Sequence, residues 1–249
     1  MYDDLGFDLG SVTPPRRVVS LVPSLTEALA LTVPGVLVGA TDWCTHPAGL
    51  TVKRLRGTKN PDLDGIRELR PDLVVANQEE NRRADVDRLR AAGIPVWVTR
   101  IDSVSGALDS MGRLFSEVCL AGVPGWLDRA RVVWNAPAQF PPLRVAVPVW
   151  KDPWIWVGAH TYPDDVLRRS GTHNVVTASR YPHLDPGEVL RHHPDLVLLP
   201  DEPYPFTRDN CPELSSATRT VCLPGRALFW YGPAMVDARK ALTDCFHAT

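Results

Sequence analysis

The residues best able to do chemistry fall in a few short stretches, most of them directly after an apolar run. Asp42-Trp43-Cys44-Thr45-His46-Pro47 sets a flat indole beside a soft thiol and a borderline imidazole. Cys44 and His46 are too close to build a structural zinc site alone, and no second pair is spaced to complete one. A loop that packs and hydrogen-bonds against an organic ligand suits this composition better, with direct metal coordination left open. Asn77-Gln78-Glu79-Glu80-Asn81-Arg82 is a polar cluster that suits a wet binding wall. Glu79 and Glu80 could also exchange protons, and Asn81 could cap the helix that follows. Pro23 and Ser24 stand where a helix N-terminus would offer N–H groups to an anion. The second half is rich in rings: Trp150, Trp154 and Trp156, then His160 and Tyr162, then Glu202, Tyr204 and Phe206, and last Trp230 and Tyr231. Trp154 and Trp156 alternate, so on a strand they share a face. Such rings cover a large planar ligand at low entropic cost, although at least one of these two tryptophans is expected in the core.

The elements that must position these residues follow from periodicity. Arg17–Pro23 reads as a buried strand, with Ser24 and Glu27 in capping-box spacing before a helix. Strands follow at 36–39, 71–77 and 94–99, with helices at 63–69 and 83–92, the latter closed by Gly93. Residues 103–120 and 125–134 carry helical spacing. Strand and helix then alternate again, with strands at 143–148 and 194–199 and helices at 163–170 and 187–192. Pro71-Asp72-Leu73-Val74 is echoed by Pro194-Asp195-Leu196-Val197, a repeat at the scale of a domain. The expected fold is α/β: two Rossmann-like, parallel-sheet lobes at 1–102 and 137–249, joined by a helical connector at 103–136, with a ligand cleft between the lobes.

A formal net charge of −2 argues against a general nucleic-acid footprint. The 24 prolines of 249 residues exceed the usual share of about 5% and punctuate the strands. The acidic start lacks the pattern of a signal peptide, and no run approaches the roughly 20 apolar residues of a membrane span, so the chain as written is expected in the cytoplasm. Five cysteines without Cys-x-x-Cys spacing do not form a disulfide framework. A Cys211–Cys222 bridge is conceivable only in an oxidising compartment.

Arg17-Val-Val-Ser-Leu-Val-Pro-Ser-Leu-Thr-Glu27, Asp62-Leu-Asp-Gly-Ile-Arg-Glu-Leu-Arg-Pro-Asp-Leu-Val-Val75, Val166–Val175 and Glu188–Leu198 together resemble the helical-backbone (class III) substrate-binding proteins of ABC importers. That group binds cobalamin, haem and ferric siderophores. Asp42–Pro47 and Gly57-Thr-Lys-Asn-Pro61 are similar to its cobalamin-binding branch. The resemblance implies a rigid two-lobed clamp holding a corrinoid, haem or metal chelate. It also implies that one acid on each lobe, here Asp64 and Glu188, docks onto an ABC permease, which would require export. The cofactor is left open, with a corrinoid, haem or metal chelate possible as ligand. The chain has no Gly-x-Ser-x-Gly elbow, P-loop or His-Glu-x-x-His motif, so no catalytic residue is assigned. The competing reading is a cytoplasmic enzyme or ligand-responsive sensor that reuses the same clamp.

Overall fold

The computed structural model describes residues 1–10, 13–138 and 142–247. Two compact units emerge. Unit 1 holds Met1–Ile101, Gly106–Asp128 and Tyr231–Pro233, and unit 2 holds Asp102–Ser105, Arg129–Trp230 and Ala234–Thr249.

In unit 1, β1 (Val18–Ser20) leads into α1 (Pro23–Thr32), β2 (Leu37–Ala40) and β3 (Lys53–Arg54). A small antiparallel hairpin, β4 (Arg56–Gly57) and β5 (Asn60–Pro61), precedes α2 (Leu63–Glu68). Then come β6 (Leu73–Asn77), α3 (Arg83–Ala91) and β7 (Val96–Thr99). The sheet is parallel throughout, in the order β3-β2-β1-β6-β7. All five residues of β6 are buried, the near-continuous apolar run expected where both faces of a parallel sheet are covered. Val19, Leu21, Ile66, Val74, Ala76, Val86 and Leu89 fill one side of it.

The chain passes between the units in α4 (Val104–Arg113), one wide turn of π-helix (Leu114–Val118) and α5 (Gly125–Asn135). Unit 2 contains β8 (Arg144–Ala146), β9 (Pro148–Trp150), β10 (Ile155–Trp156), α6 (Tyr162–Arg169), β11 (His173–Asn174) and α7 (Pro186–Leu190). It continues with β12 (Leu196–Pro200), α8 (Pro212–Ser215), β13 (Thr220–Leu223), α9 (Arg226–Phe229) and α10 (Met235–His247). Its main sheet is also parallel, ordered β11-β8-β12-β13. The α/β class and the parallel sheets agree with the expectation.

The sequence repeat is a repeat of interactions. In unit 1 the Arg17 guanidinium donates twice to the Leu69 carbonyl behind α2, at 3.1 and 2.7 Å, and the Arg17 N–H donates to Asp72 at 2.9 Å. In unit 2 the Arg144 guanidinium donates to the His193 carbonyl at 3.2 Å and to that of His192, and its N–H donates to Asp195 at 2.8 Å. Arg70 and His193, each just before the proline of a Pro-Asp pair, both adopt positive φ (45° and 49°). Each arginine thus places a cation at the negative end of a helix and fixes where the next strand begins.

Four local expectations are corrected. Ser24 does not cap α1: the cap is Val22, and Pro23, with its φ already set, starts the helix. Glu27 therefore closes no capping box and lies buried instead. Asn81 does not cap α3, whose cap is Arg82; its side chain accepts from Asn77 N–H at 2.8 Å and donates to the Leu21 and Thr58 carbonyls. The expected strand at 143–148 breaks after Ala146, because β8 pairs in parallel whereas β9 turns to pair antiparallel with β10. The helix expected at 187–192 runs Pro186–Leu190, and the Arg144 guanidinium donates to the carbonyls just beyond its end. Gly93, at φ +77°, does end α3 as anticipated.

Asp165 of α6 receives the Val104 N–H at 2.9 Å, the Arg169 guanidinium at 2.9 Å and that of Arg168. Burial pushes its carboxyl up, but the Val104 and arginine bonds outweigh this and hold it below the ordinary value of 3.8. Because the folded-state value is depressed, the stabilisation is complete above the unfolded value and is lost as pH falls through the folded one. Asp165→Asn is expected to lower the Tm at pH 7 by roughly 3–6 °C. In thermal scans that deficit should shrink below about pH 4; an equal deficit at pH 7 and pH 3 would refute the charge-based account.

Candidate functional site

In an open parallel sheet, the first strand sends its neighbours off in both directions, and the crevice at that reversal is where ligands bind. In unit 1 the reversal falls between β1 and β6. The chain leaving β1 enters α1 at Pro23 and Ser24, and the loop after β6 carries Glu79 and Glu80. Tyr231 is buried there, its hydroxyl 3.3 Å from Glu80 Oε1. Burial, reinforced by the Glu80 charge, pushes the phenol well above its ordinary value, so Tyr231 stays a neutral donor and acceptor.

Asn77 holds this loop in shape. Its Oδ1 accepts from Glu79 N–H at 2.8 Å, and its Nδ2 donates to Thr99 Oγ1 at 3.0 Å. Lys59, from the β4–β5 turn, donates to the Glu79 carbonyl. Burial lowers the Lys59 ammonium and Arg82 lowers it further, with Glu80 opposing them.

The loop after β2 divides in two. Cys44 is fully buried, and Thr26 and Thr41 lie 3.0 and 3.1 Å from its sulfur. Burial raises the thiol against those hydrogen bonds. The expected open soft ligand is therefore a packed structural thiol, and His46 is half-buried with Nδ1 against Thr45 Oγ1. Trp43 goes the other way: 67% of it is exposed. Its indole lies against Gly57, where an added Cβ would come within 3.3 Å of Nε1. Asp42 and Arg82 are exposed on the same loops.

In unit 2 the reversal falls between β8 and β12, and the loops beyond those strands carry rings. Trp150, 42% exposed, meets Tyr204 edge-on at 5.4 Å between centroids. Tyr204 lies 4.7 Å from Phe206, which stacks on Trp154 at 5.8 Å, which in turn stacks on Trp156 at 5.7 Å. This ladder runs from surface to core. Trp156 and Phe206 are buried in the core of the unit, and Trp154 and Tyr204 pack against it. Trp150 is the rung that faces solvent. Lys151 Nζ sits 5.2 Å from the Trp154 ring centroid and 3.0 Å from Glu213.

Of the other candidates in unit 2, His160 is exposed at positive φ (62°), with Nδ1 3.3 Å from Ser179 Oγ. Tyr162 and Trp230 are buried and joined to each other, the phenol donating to the Trp230 carbonyl at 3.0 Å. Glu202 is half-buried after β12.

The structure thus gathers Ser24, Glu79, Glu80 and Tyr231 in unit 1, and Trp150, Trp154, Trp156, Tyr204 and Phe206 in unit 2. Lys59 and Thr99 were not anticipated as site residues. Thr99 is a polar residue ending an apolar strand, and Lys59 lies inside the Gly57–Pro61 motif, so both had a visible signal. Among the described residues no cluster of three or more His, Cys, Asp or Glu side chains is arranged to hold a metal. Among them, too, no helix is long and apolar enough to cross a membrane.

No family model matches the sequence. A vitamin B12-binding protein of Yersinia pestis is 24% identical over 193 residues, 74% of this chain and 69% of the relative. A periplasmic vitamin B12 binding protein of Vibrio cholerae superposes with a TM-score of 0.74 at 18% identity, over 94% of this chain and 99% of the other. A periplasmic haem-binding protein of Pseudomonas aeruginosa does so at 0.77 and 20%, over 94% of each chain. Both structures are of periplasmic proteins and lend no support to the cytoplasmic expectation.

Trp97 and Trp156 are fully buried whereas Trp43 is open. Trp43→Phe is expected to remove part of the iodide-quenchable fluorescence, Trp150 supplying a further part, while moving the Tm by less than about 2 °C. Unchanged quenching would show that Trp43 is covered.

Proposed function

We propose that this chain, a helical-backbone (class III) substrate-binding protein by fold and sequence kinship, binds without turnover a corrinoid, haem or comparable metal chelate at its strand-end loops. One observation carries the reading. The two exposed indoles stand beyond the carboxyl ends of strands of the two parallel sheets, Trp43 in the loop after β2 and Trp150 at the end of β9, which follows β8, in a chain whose sequence relatives bind vitamin B12. Each unit offers its own chemistry: unit 1 carries carboxylates, hydroxyls and the neutral Tyr231, which suit polar groups, and unit 2 carries a ring surface braced from beneath, which suits a flat face. With Cys44 buried, the protein is suited to holding the organic frame of a chelate rather than a bare ion.

A permease partner is part of this proposal. Asp64 lies exposed in the first turn of α2 and pairs only locally, with Arg67 at 2.9 Å. Glu188 lies exposed in the first turn of α7, where its carboxylate also accepts from Asp185 N–H at 2.9 Å. Each could meet a basic partner surface, Asp64 at less structural cost.

Titration with hydroxocobalamin, haemin and a ferric siderophore, followed by tryptophan fluorescence, is the direct test. One of the three is expected to quench saturably with one-site stoichiometry and to be recovered unchanged. Trp43→Ala and Trp150→Ala should each weaken that binding about five- to tenfold. Absence of quenching by all three would remove the reading.

A further inference from the structure

The last strand and the last helix of unit 2 bring two cysteines together. On β13, Thr220, Val221 and Leu223 are buried, whereas Cys222 is exposed. β13 has β12 on one side and ends the sheet. On α10, Leu242 and Phe246 are buried, and the Phe246 carbonyl accepts from Arg219, the residue just before β13, at 3.3 Å. That contact sets the end of α10 beside the strand. Cys245 lies there, half-buried, with its sulfur 3.9 Å from the Cys222 carbonyl oxygen.

We infer that Cys222 and Cys245 are a covalent modification site, which a small disulfide such as oxidised glutathione converts to an internal disulfide. The span agrees with that chemistry. A sulfur 3.9 Å from the other cysteine's carbonyl oxygen sets the two residues side by side, and a disulfide, which spans Cα atoms about 4.4–6.8 Å apart, forms by turning the two side chains with a small shift of the last turn of α10.

The exposed Cys222 thiolate attacks the small disulfide, forming a mixed disulfide and releasing one glutathione thiolate. Cys245 then loses its proton to solvent, and its thiolate attacks the Cys222 sulfur and expels the second glutathione. Two protein thiols are oxidised, one glutathione disulfide is reduced to two thiols, and electrons and atoms balance. Cys211 is the competing partner, but it is buried and donates to the Thr207 carbonyl at 2.8 Å. Burial pushes its thiol up to about 11, and it is held out of the exchange.

The test uses the full chain, reduced and then incubated with excess oxidised glutathione. Free thiols should fall from five to three, the mass should drop by two hydrogens with no glutathione retained, and a non-reducing peptide map should join Cys222 to Cys245. Cross-linking the ends of this segment should raise the Tm by roughly 5–10 °C. Cys211→Ser should still form the link, while Cys245→Ser should retain glutathione on Cys222 and show no such rise. The inference is overturned if glutathione stays on Cys222 in the wild type, if Cys222 joins Cys211, or if all five thiols remain free.

Discussion

Parallel pairing is the constraint from which the rest of this molecule follows. Two parallel strands cannot be joined by a hairpin, so each pair demands a crossover, supplied here by a helix or a long loop. Every strand of a sheet then points its carboxyl end the same way, and the loops that leave those ends crowd one edge. Where the first strand sends successors to both sides, the loops diverge and leave a gap. The order β3-β2-β1-β6-β7 puts that gap beside Ser24 and Glu80, and the order β11-β8-β12-β13 puts it beside Trp150 and Tyr204. At the opposite edge the same topology repeats a structural device. Arg17 with Asp72 and Arg144 with Asp195 bind a helix end to a strand start. One edge is fixed by hydrogen bonds from the arginines to helix-end carbonyls and from backbone N–H groups to the aspartates, and the other carries the candidate site residues.

The two edges differ in how far they can be foreseen. Pro71-Asp72 and Pro194-Asp195 stand out because a turn of fixed geometry needs fixed residues, and the strands behind them stand out as unbroken apolar runs. The capping of α1 does not, because Ser24 followed by Glu27 satisfies a capping rule that Pro23 overrides by starting the helix two residues earlier, with Val22 as the cap. The break between β8 and β9 is equally hidden. Leu143-Arg-Val-Ala-Val-Pro148 has one uniform character, and only pairing partners distant in sequence decide where it bends. Among site residues, a type and a loop can be read locally, but burial cannot. Trp150, Trp154 and Trp156 look alike in sequence. The structure grades them from open to enclosed because each successive ring is stacked closer to the core.

That grading gives the aromatic ladder its mechanical meaning. A lone exposed tryptophan on a loop would sample many rotamers and lose that freedom on binding. Trp150 instead rests against Tyr204, which rests on Phe206 and through it on Trp154 and Trp156. The ring is therefore held in place by its neighbours, and the entropy of ordering it is part of folding. Unit 1 achieves the same end with hydrogen bonds. Asn77 and Asn81 lock the loop that carries Glu79 and Glu80, and the buried Tyr231 hydroxyl holds Glu80 from below.

Both units also depart from ordinary folding rules near these loops. Unit 1 leaves a large indole two-thirds exposed at position 43, though burial of such a ring would be favourable. In unit 2, Asp152, His160 and Arg180 adopt positive φ without being glycine, a conformation that costs of order 1–3 kcal/mol for such residues. Arg180 is held there by Asp102 at 2.6 Å and by the His160 carbonyl at 2.7 Å, so the surrounding bonds sustain the strained backbone. Positive φ is not confined to these loops, since Arg70 and His193 adopt it at helix ends; the exposed indole of Trp43 is the feature that a core under pressure only to fold would have hidden.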